Sequence, residues 1–191
     1  MAVAITSDRH AGKPLLLGGG VSPFGRHRDG SHWRDWVRAA AGDALVDAGV
    51  GGEDIDSVVV ASETDFFSLQ VNPGPVVLDD LGLTGRLVVR VEAGGASGAA
   101  ALRVGFTQIM AGLARRVLVV GFEAAAGHLD PADVHLVYSL SFDAEVDGMA
   151  GATAVVLYAL SIGEHMADHG TTAEQMAAVS VKNHGNAIGN P

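Results

Sequence analysis

The sequence predicts an α/β fold in which helices are layered against a mostly parallel mixed sheet. Three apolar or alternating runs, at 55–61, 86–92 and 117–121, are separated by stretches of helical character. Strands that alternate with helices favour parallel pairing, because a parallel pair needs a long crossover connection. Hydrophobic residues make up 48% of the chain and charged residues only 18%, so the chain can bury a core and is not disordered.

The composition excludes several classes of function. Lys plus Arg total 12 against 22 for Asp plus Glu, a formal net charge of −10. Nucleic acids and anionic membranes attract basic surfaces, so neither is expected as a partner. The 191 residues contain no cysteine, which excludes a disulfide or a cysteine nucleophile within them. Because no apolar stretch is long enough to span a bilayer and no signal peptide is visible, we expect a cytoplasmic protein.

The amino-terminal part is expected to hold one strand and one long helix. Residues 1–13 are expected to form a flexible lead-in, and the apolar run 14–20 a strand. Ser31 is the predicted N-cap of a helix over 32–48, and Gly49 is the residue that ends it.

The middle of the chain is expected to contain the elements that build the sheet. The β-branched run 55–61 predicts a buried strand, and 76–81 a short helix. A strand at 86–92 is followed by a glycine-rich turn and a helix over 96–113. The apolar run 117–121 predicts another strand.

The carboxyl-terminal part of the chain has a less regular pattern of apolar residues. Residues 124–148 show no clean period and are expected to form a long inserted loop region. A helix is predicted to run through 150–168. The pair Thr171 and Glu174 has the spacing of a capping box, which predicts the start of a further helix.

The turn between the strand at 86–92 and the next helix is the most informative part of the sequence. Two glycines, Gly94 and Gly95, turn the chain sharply, and the helix is expected to begin near Ala96. A helix N-terminus offers unpaired N–H groups and a positive dipole end, which stabilise an anion. The residues here match neither the dinucleotide fingerprint G-x-G-x-x-G nor the nucleophile elbow G-x-S-x-G.

The helix after this turn is apolar on nearly all sides, so it is expected to be buried. Gly98, Gly105 and Gly112 recur every seven residues. They are expected to form one face that another helix can approach closely.

Four blocks of sequence, in order along the chain, carry a family resemblance. They are GGGVSPFG at 18–25, AGVGGEDIDSVVV at 48–60, the strand, turn and helix at 91–121, and the stretch 151–191. Together they resemble the N-terminal half of the thiolase superfamily, and within it the lipid-transfer or sterol-carrier type. The resemblance implies a thiolase-like layered αβαβα architecture. All of 1–191 would form its N-terminal half, with the insertion at about 124–148.

The chain departs from this family at the residue that carries the chemistry. The family has Cys-Ala-Ser-Gly at the turn, where this chain has Gly95-Ala96-Ser97-Gly98. Gly95 therefore holds the nucleophile's position, and acyl transfer through a thioester intermediate at this turn is excluded. The resemblance places the catalytic histidine and a second acid or base residue in the second half. The general base is accordingly expected outside this chain.

The resemblance implies a reaction on acyl-CoA thioesters that needs no thiolate. Retro-aldol cleavage of a β-hydroxyacyl-CoA is such a reaction, and the chain resembles the cysteine-lacking steroid side-chain aldolases. Substrate contacts are expected from Gly95, Ala96, Ser97 and Met149, and no cofactor is expected besides the coenzyme A thioester as substrate. The expected partners are a complementary C-terminal thiolase half or a copy of this chain, and an OB-fold protein. Two alternatives stay open: a degenerate scaffold subunit, and a hydrolase that uses Ser97.

Other polar and aromatic residues are expected to be structural. His165 and His169 lie four residues apart on a helix, but they match no metal motif, so no metal site is expected. His184 is interpreted as structural, and Trp33 and Trp36 as core or interface residues. Six acidic residues are expected to form a solvated face: Glu123, Asp130, Asp133, Asp143, Glu145 and Asp147.

Overall fold

The structure, a computed structural model, describes most of the chain. The described residues are 1–7, 13–24, 30–125 and 129–189. They form two compact units, Met1–Leu129 and Asp130–Pro191. His10, His27 and His128 lie outside the described residues.

The first unit is built on a five-stranded mixed sheet. Its strands are β1 (Ala2–Ser7), β2 (Pro14–Gly20), β3 (Ser57–Ala61), β4 (Leu87–Val91) and β5 (Arg116–Gly121). Their order across the sheet is β2-β1-β5-β3-β4. Strand β3 pairs in parallel with β4 and β5, whereas β1 pairs antiparallel with β2 and β5. Among the described strands only β1 therefore runs against the others, which confirms the predicted mostly parallel mixed sheet.

Helices cover both faces of this sheet and give the unit three layers. They are α1 (Trp33–Ala48), α2 (Pro73–Asp80) and α3 (Ser97–Met110). Alternation along β3 divides the core between the two faces. Val58 and Val60 join the core beneath α1 and α2, while Val59 and Ala61 join the core beneath α3. The α/β layering is confirmed.

The amino terminus corrects one expectation. Residues 2–7 are not a flexible lead-in but form β1, which lies inside the sheet between β2 and β5. Ala2, Ala4 and Ile5 are buried, and the Met1 amino group donates to the Gly121 carbonyl at 3.0 Å. The apolar run is short and a polar stretch follows it, so the sequence pattern is weak. Pairing on both sides stabilises it as a strand.

Helix α1 begins at Trp33 and uses a different cap from the predicted one. His32 is the N-cap: its N–H donates to Asp35 at 2.8 Å and its side chain accepts from the Arg34 N–H. The predicted cap, Ser31, instead accepts a hydrogen bond from the Trp36 indole at 2.8 Å. The helix ends at Gly49, which has a φ of +64°, as predicted.

Trp33 and Trp36 both belong to the core, which was one of the two environments expected for them. Trp33 is buried and stacks on Phe122, with ring centroids 4.4 Å apart. Trp36 is partly buried against the same cluster.

The second unit is helical. It contains α4 (Pro131–Ser139), a π-helical turn (Ala144–Gly148), α5 (Ala154–His169) and α6 (Ala173–Ala187). The expectation of a loop over 124–148 is therefore wrong for the helix and the turn, although its status as an insertion stays a prediction. The apolar side chains of α4 do not lie on one face, so the sequence shows no apolar periodicity there. The sequence feature that marks this helix is its N-cap Asp130, which accepts from the N–H groups of Ala132 and Asp133.

Helix α6 begins one residue later than the predicted capping box. The box is formed by Thr172 and Gln175, whose side chains each accept from the other's N–H at 3.3 and 2.9 Å. No side chain of α5 or α6 is buried within this chain. Within the described ranges no helix has both the length and the apolarity needed to cross a bilayer.

Candidate functional site

Three neighbouring parallel strands end together at one edge of the sheet. Ala61 at the end of β3 pairs with Val91 of β4 on one side and Gly121 of β5 on the other. In open α/β sheets, ligands bind outside the carboxyl ends of the strands. The segments that follow these strands at this edge are 92–96, 62–72 and 122–125.

The turn after β4 places the predicted site residues at the start of α3. Gly94 has a φ of +54°, which favours glycine, and its carbonyl accepts from the Ser97 N–H at 3.1 Å. The Ala96 N–H donates to the Ala93 carbonyl at 3.0 Å. These bonds close a tight turn, and α3 begins at Ser97 with its amino end at the carboxyl edge of the sheet.

The Ser97 hydroxyl is engaged in holding this turn. It accepts from the Ala93 N–H at 2.9 Å and donates to the Gly94 carbonyl at 2.7 Å. The residue is only 5% exposed. A hydroxyl with both of these bonds fixes the geometry of the turn. Among the residues that the structure describes, no base is bonded to it as a serine nucleophile requires.

Gly95 is the open point of the turn. It is exposed, and a Cβ atom built on it would meet no atom within 4 Å. Ala96 beside it is exposed as well. The turn therefore has room at the position where the resembling family carries its nucleophile. The structure brings Gly95, Ala96 and Ser97 together, while Met149 lies in the second unit and is 84% exposed.

Glu123 is a site-edge residue that the sequence does not reveal. Its carboxylate accepts from the Glu63 N–H at 2.6 Å and from the Ala124 N–H at 3.2 Å. Burial raises its pKa, and so does the neighbouring Glu63 carboxylate. Burial also raises the pKa of Glu63. The expectation that Glu123 belongs to a solvated face is wrong.

Two other members of that acidic set are capping residues. Asp130 caps α4, and Asp143 accepts from the N–H groups of Glu145 and Val146 at 3.0 Å each. Acceptors at N-caps are satisfied by backbone donors, so these carboxylates shape the chain locally.

Arg90 supports the same edge from β4. Its guanidinium pairs with Asp65 at 2.5 Å and with Glu92 at 2.7 Å. It also donates to the Ser62 hydroxyl at 3.3 Å. The segment after β3 is thus held by Glu123 from the side of β5 and by Arg90 from the side of β4.

The glycines spaced by seven along α3 do not form a face that is open to another helix. A Cβ at Gly105 would lie 3.2 Å from Ile5 and Val119, so Gly105 packs on the sheet. Gly98 is exposed, and Gly112 follows the helix with a φ of +70°. The expectation of a shared helix-contact face is wrong: Gly98 faces open space, Gly105 packs in the core and Gly112 is the helix end. In this chain α3 buries only the face toward the sheet.

The histidines expected to be structural make local contacts. His165 Nε2 lies 2.9 Å from the Thr171 hydroxyl, and its ring centroid is 4.7 Å from that of His169. His184 Nδ1 lies 2.8 Å from the Ser180 carbonyl one turn earlier. Within the described part of the chain, no three His, Asp or Glu side chains are grouped as metal ligands.

A strand, a tight glycine turn and a half-buried helix lie at the carboxyl edge of the mixed α/β sheet, which is the arrangement that the resemblance to a thiolase-like N-terminal half implies. The family model for the thiolase N-terminal domain matches residues 18–191. The chain belongs to the thiolase family, as its N-terminal domain.

Individual relatives agree with this family. The acetyl-CoA acetyltransferase of Methanothermobacter thermautotrophicus is 37% identical over 177 residues, which cover 92% of this chain and 45% of that protein. Sterol carrier protein 2 of Gallus gallus is 28% identical over 188 residues, which cover 93% of this chain and 33% of that protein. The chain thus spans less than half the length of these relatives.

One solved structure shares the fold over most of the chain. It is described as an Ltp2-ChsH2(DUF35) aldolase, and it superposes with a TM-score of 0.61 at 22% identity. The match covers 85% of this chain and 40% of that one. At this identity the likeness shows the fold.

Proposed function

We propose that this chain is the N-terminal half of a thiolase-fold enzyme that cleaves a carbon–carbon bond in a β-hydroxyacyl-CoA. The observation that carries the proposal is Gly95. The turn keeps the fold of a nucleophile turn, but the position of the nucleophile holds a glycine in open space. Claisen chemistry through an acyl-cysteine has no nucleophile there, whereas retro-aldol cleavage needs none.

The proposed reaction uses a base and an anion-stabilising pocket. The base takes the proton of the β-hydroxyl group, whose oxygen electrons form the new carbonyl as the Cα–Cβ bond breaks. The electron pair moves onto Cα and gives the thioester enolate, which is then protonated at Cα. The amino end of α3, which begins at Ser97, offers its positive dipole end to the enolate oxygen.

The proposed roles follow the sequence expectations. Gly95 and Ala96 leave room for a bulky substituted β-carbon, Ser97 shapes the turn, and Met149 contacts substrate. The coenzyme A thioester is the substrate, and no further cofactor is proposed. The general base is proposed to lie outside these 191 residues.

The proposed partners complete the site. They are a complementary C-terminal thiolase half or a second copy of this chain, together with an OB-fold protein. Support comes from coverage, since this chain matches under half of its relatives' length. The solved structure whose fold it shares is described as an Ltp2-ChsH2(DUF35) aldolase. The assembly is proposed to be cytoplasmic.

A second candidate function is a catalytically degenerate scaffold subunit. The engagement of Ser97 favours it, because the one hydroxyl in the turn is bonded to Ala93 and Gly94 and is not offered to a substrate. Such a subunit would bind the acyl-CoA or a partner without turnover.

The test is an assay of the full protein with the chains that co-purify with it. A β-hydroxyacyl-CoA with a substituted β-carbon is expected to yield a carbonyl product and a shortened acyl-CoA, both detected by mass spectrometry. Thiolysis of acetoacetyl-CoA at this turn is expected to be absent. Tight binding of the thioester without cleavage in the complete assembly would favour the scaffold instead.

A further inference from the structure

Two carboxylates join β3 to β5 at opposite edges of the sheet. At the amino edge, Asp56 accepts from the N–H groups of Arg115 and Arg116 at 2.8 and 3.0 Å. At the carboxyl edge, Glu123 accepts from the N–H groups of Glu63 and Ala124. The two bridges connect the same strands with the same chemistry, so each is a natural control for the other.

The two bridges differ in electrostatics. Burial raises the pKa of Asp56, but the Arg115 and Arg116 donors and charges outweigh it, so the pKa is lowered overall. At Glu123 burial outweighs the backbone donors, and the pKa is raised. Above its ordinary pKa, an ionised Asp56 stabilises the fold, whereas an ionised Glu123 costs stability. The ionised Asp56 bridge therefore adds to stability, whereas the ionised Glu123 bridge is held against the cost of burial.

The difference in position is what distinguishes Glu123. Strand β3 lies between β5 and β4, so the segment after it starts between the segment that carries Glu123 and the segment that leads to the turn at 93–97. The Glu123 carboxylate accepts from the Glu63 N–H and is also hydrogen-bonded by the Thr64 backbone. On its far side the same segment is held by Arg90 through Ser62 and Asp65. The segment that leaves β3 at this edge is thus held by Glu123 on one side and by Arg90 on the other.

We propose that Glu123 is a positioning residue of the site: its carboxylate fixes residues 62–65 beside the Gly94–Ser97 turn and so sets the width of the substrate crevice there. The inference rests on the proposed function, because it assigns a role in that same site. Glu123 touches backbone and not substrate. Its effect passes through the segment it holds.

The test compares Glu123→Gln with Asp56→Asn in the full protein with its co-purifying chains. Both changes keep the size of the side chain and turn one acceptor into a donor. For Glu123→Gln we expect kcat for C–C cleavage, per folded molecule, to fall by about tenfold or more while the thermal midpoint changes little. For Asp56→Asn we expect the opposite pattern, a lower midpoint with kcat within about twofold.

Measuring kcat and KM per folded molecule separates a role in positioning the site from a role in stabilising the fold. A role in support alone would lower the fraction of folded protein and leave kcat per folded molecule unchanged. Unchanged kcat and KM in Glu123→Gln, with an active wild type, would overturn the inference and leave the proposed function standing.

Hydrogen exchange tests the bridge without any activity. In Glu123→Gln the amides of Glu63 and Thr64 are expected to exchange about tenfold faster, while that of Val59 within β3 stays protected. Unchanged exchange at both amides would overturn the inference whatever the kinetics. If the wild type shows no cleavage, the proposed function fails, and acyl-CoA binding replaces kcat: about tenfold weaker binding supports the role of Glu123, and equal binding overturns it.

Discussion

Gly95 and Ser97 lie two residues apart in one turn, but a substitution is expected to act differently at each position. A side chain at Gly95 would project into open space, since a Cβ meets no atom within 4 Å. The Ser97 side chain is buried and makes two hydrogen bonds. The first position is therefore free of the fold and available to a ligand, while the second belongs to the fold.

This contrast gives a paired prediction. Gly95→Leu is expected to fold with an unchanged thermal midpoint and to lose C–C cleavage, because the leucine fills the space proposed for substrate. Ser97→Ala is expected to lose about 1 to 3 kcal/mol of unfolding free energy, because the Ala93 N–H loses its acceptor, and to keep more activity. Denaturant unfolding and the cleavage assay measure both. Full turnover by Gly95→Leu would show that Gly95 does not line the site.

The stability of the fold is expected to decrease in acid because two aspartates, Asp56 and Asp80, have lowered pKa values. The hydrogen bond from Arg34 holds the pKa of Asp80 below its ordinary value of 3.8, and the pKa of Asp56 is lowered as well. Carboxyls with lowered pKa values stabilise the fold above the ordinary value, and this contribution is lost as pH falls through the folded pKa. Unfolding free energy should therefore decrease as pH falls from about 5 to about 3. At higher pH, protonation of Glu63 and Glu123, whose pKa values are raised, acts in the opposite direction.

Its control is the double variant Asp56→Asn with Asp80→Asn. This protein is expected to be less stable at neutral pH and to show a shallower decrease toward acid. An equally steep decrease would assign the acid sensitivity to other groups.

At this scale the sequence locates the turn but not every partner in it. The double glycine and the small residues after it mark Gly94–Ser97, because only such residues turn a strand into a helix so tightly. Glu123 escapes notice because its partner Glu63 is brought next to it by strand pairing and not by spacing in the sequence. A bond across 60 positions leaves no local pattern.

At the level of elements, the regular spacing along α3 is misleading. Seven residues are close to two helical turns, so Gly98 and Gly105 are expected to share a face. A Cβ at Gly98 would meet no atom within 4 Å, however, whereas one at Gly105 would meet Ile5 and Val119 on the sheet. Gly112 is outside the helix altogether.

The element-level prediction follows from this difference. Gly105→Leu is expected to unfold the first unit, because overpacking a site with contacts at 3.2 Å costs about 1 to 3 kcal/mol or more. Gly98→Leu is expected to leave the fold of the chain intact and to weaken its assembly, if the outer face of α3 meets another chain. Circular dichroism separates the two variants, and sedimentation velocity measures assembly. A folded Gly105→Leu protein with lost assembly would restore the shared-face interpretation.

The strands and helices found from sequence are those with strong local signals. Strand β3 is a pure β-branched run, and α1 ends at a glycine with a positive φ. Strand β1 and helix α4 have weaker patterns, because β1 depends on its two neighbours in the sheet and α4 on a cap. A periodic apolar pattern marks an element that buries one face. An element that depends mainly on residues distant in the sequence need not show such a pattern.

At the scale of the whole chain, the two units differ in how they are stabilised. The first has a buried core on each face of its sheet. In the second, neither α5 nor α6 buries a side chain within this chain. Isolated helices of about 15 residues are marginal in water, so packing must come from elsewhere.

Exchange measurements should show this contrast in the isolated chain. Amides of α5 and α6 are expected to exchange orders of magnitude faster than those of β3, because local helices open without breaking a core. Adding the proposed complementary half should slow the exchange in α5 and α6. Strong protection of α5 in the lone, monomeric chain would contradict the expectation.

The last prediction concerns assembly. Helix α5 is apolar on several sides, with Val155 74% and Leu160 65% exposed. A helix of this kind is suited to burial, and exposed apolar patches beyond a few hundred Å² mark interfaces or aggregation. The chain produced alone is therefore expected to self-associate and to become monodisperse with its complementary half. Leu160→Lys should reduce self-association and weaken that complex. Sedimentation velocity decides: a cooperatively folding monomer at low concentration would show that the apolar surface needs no partner.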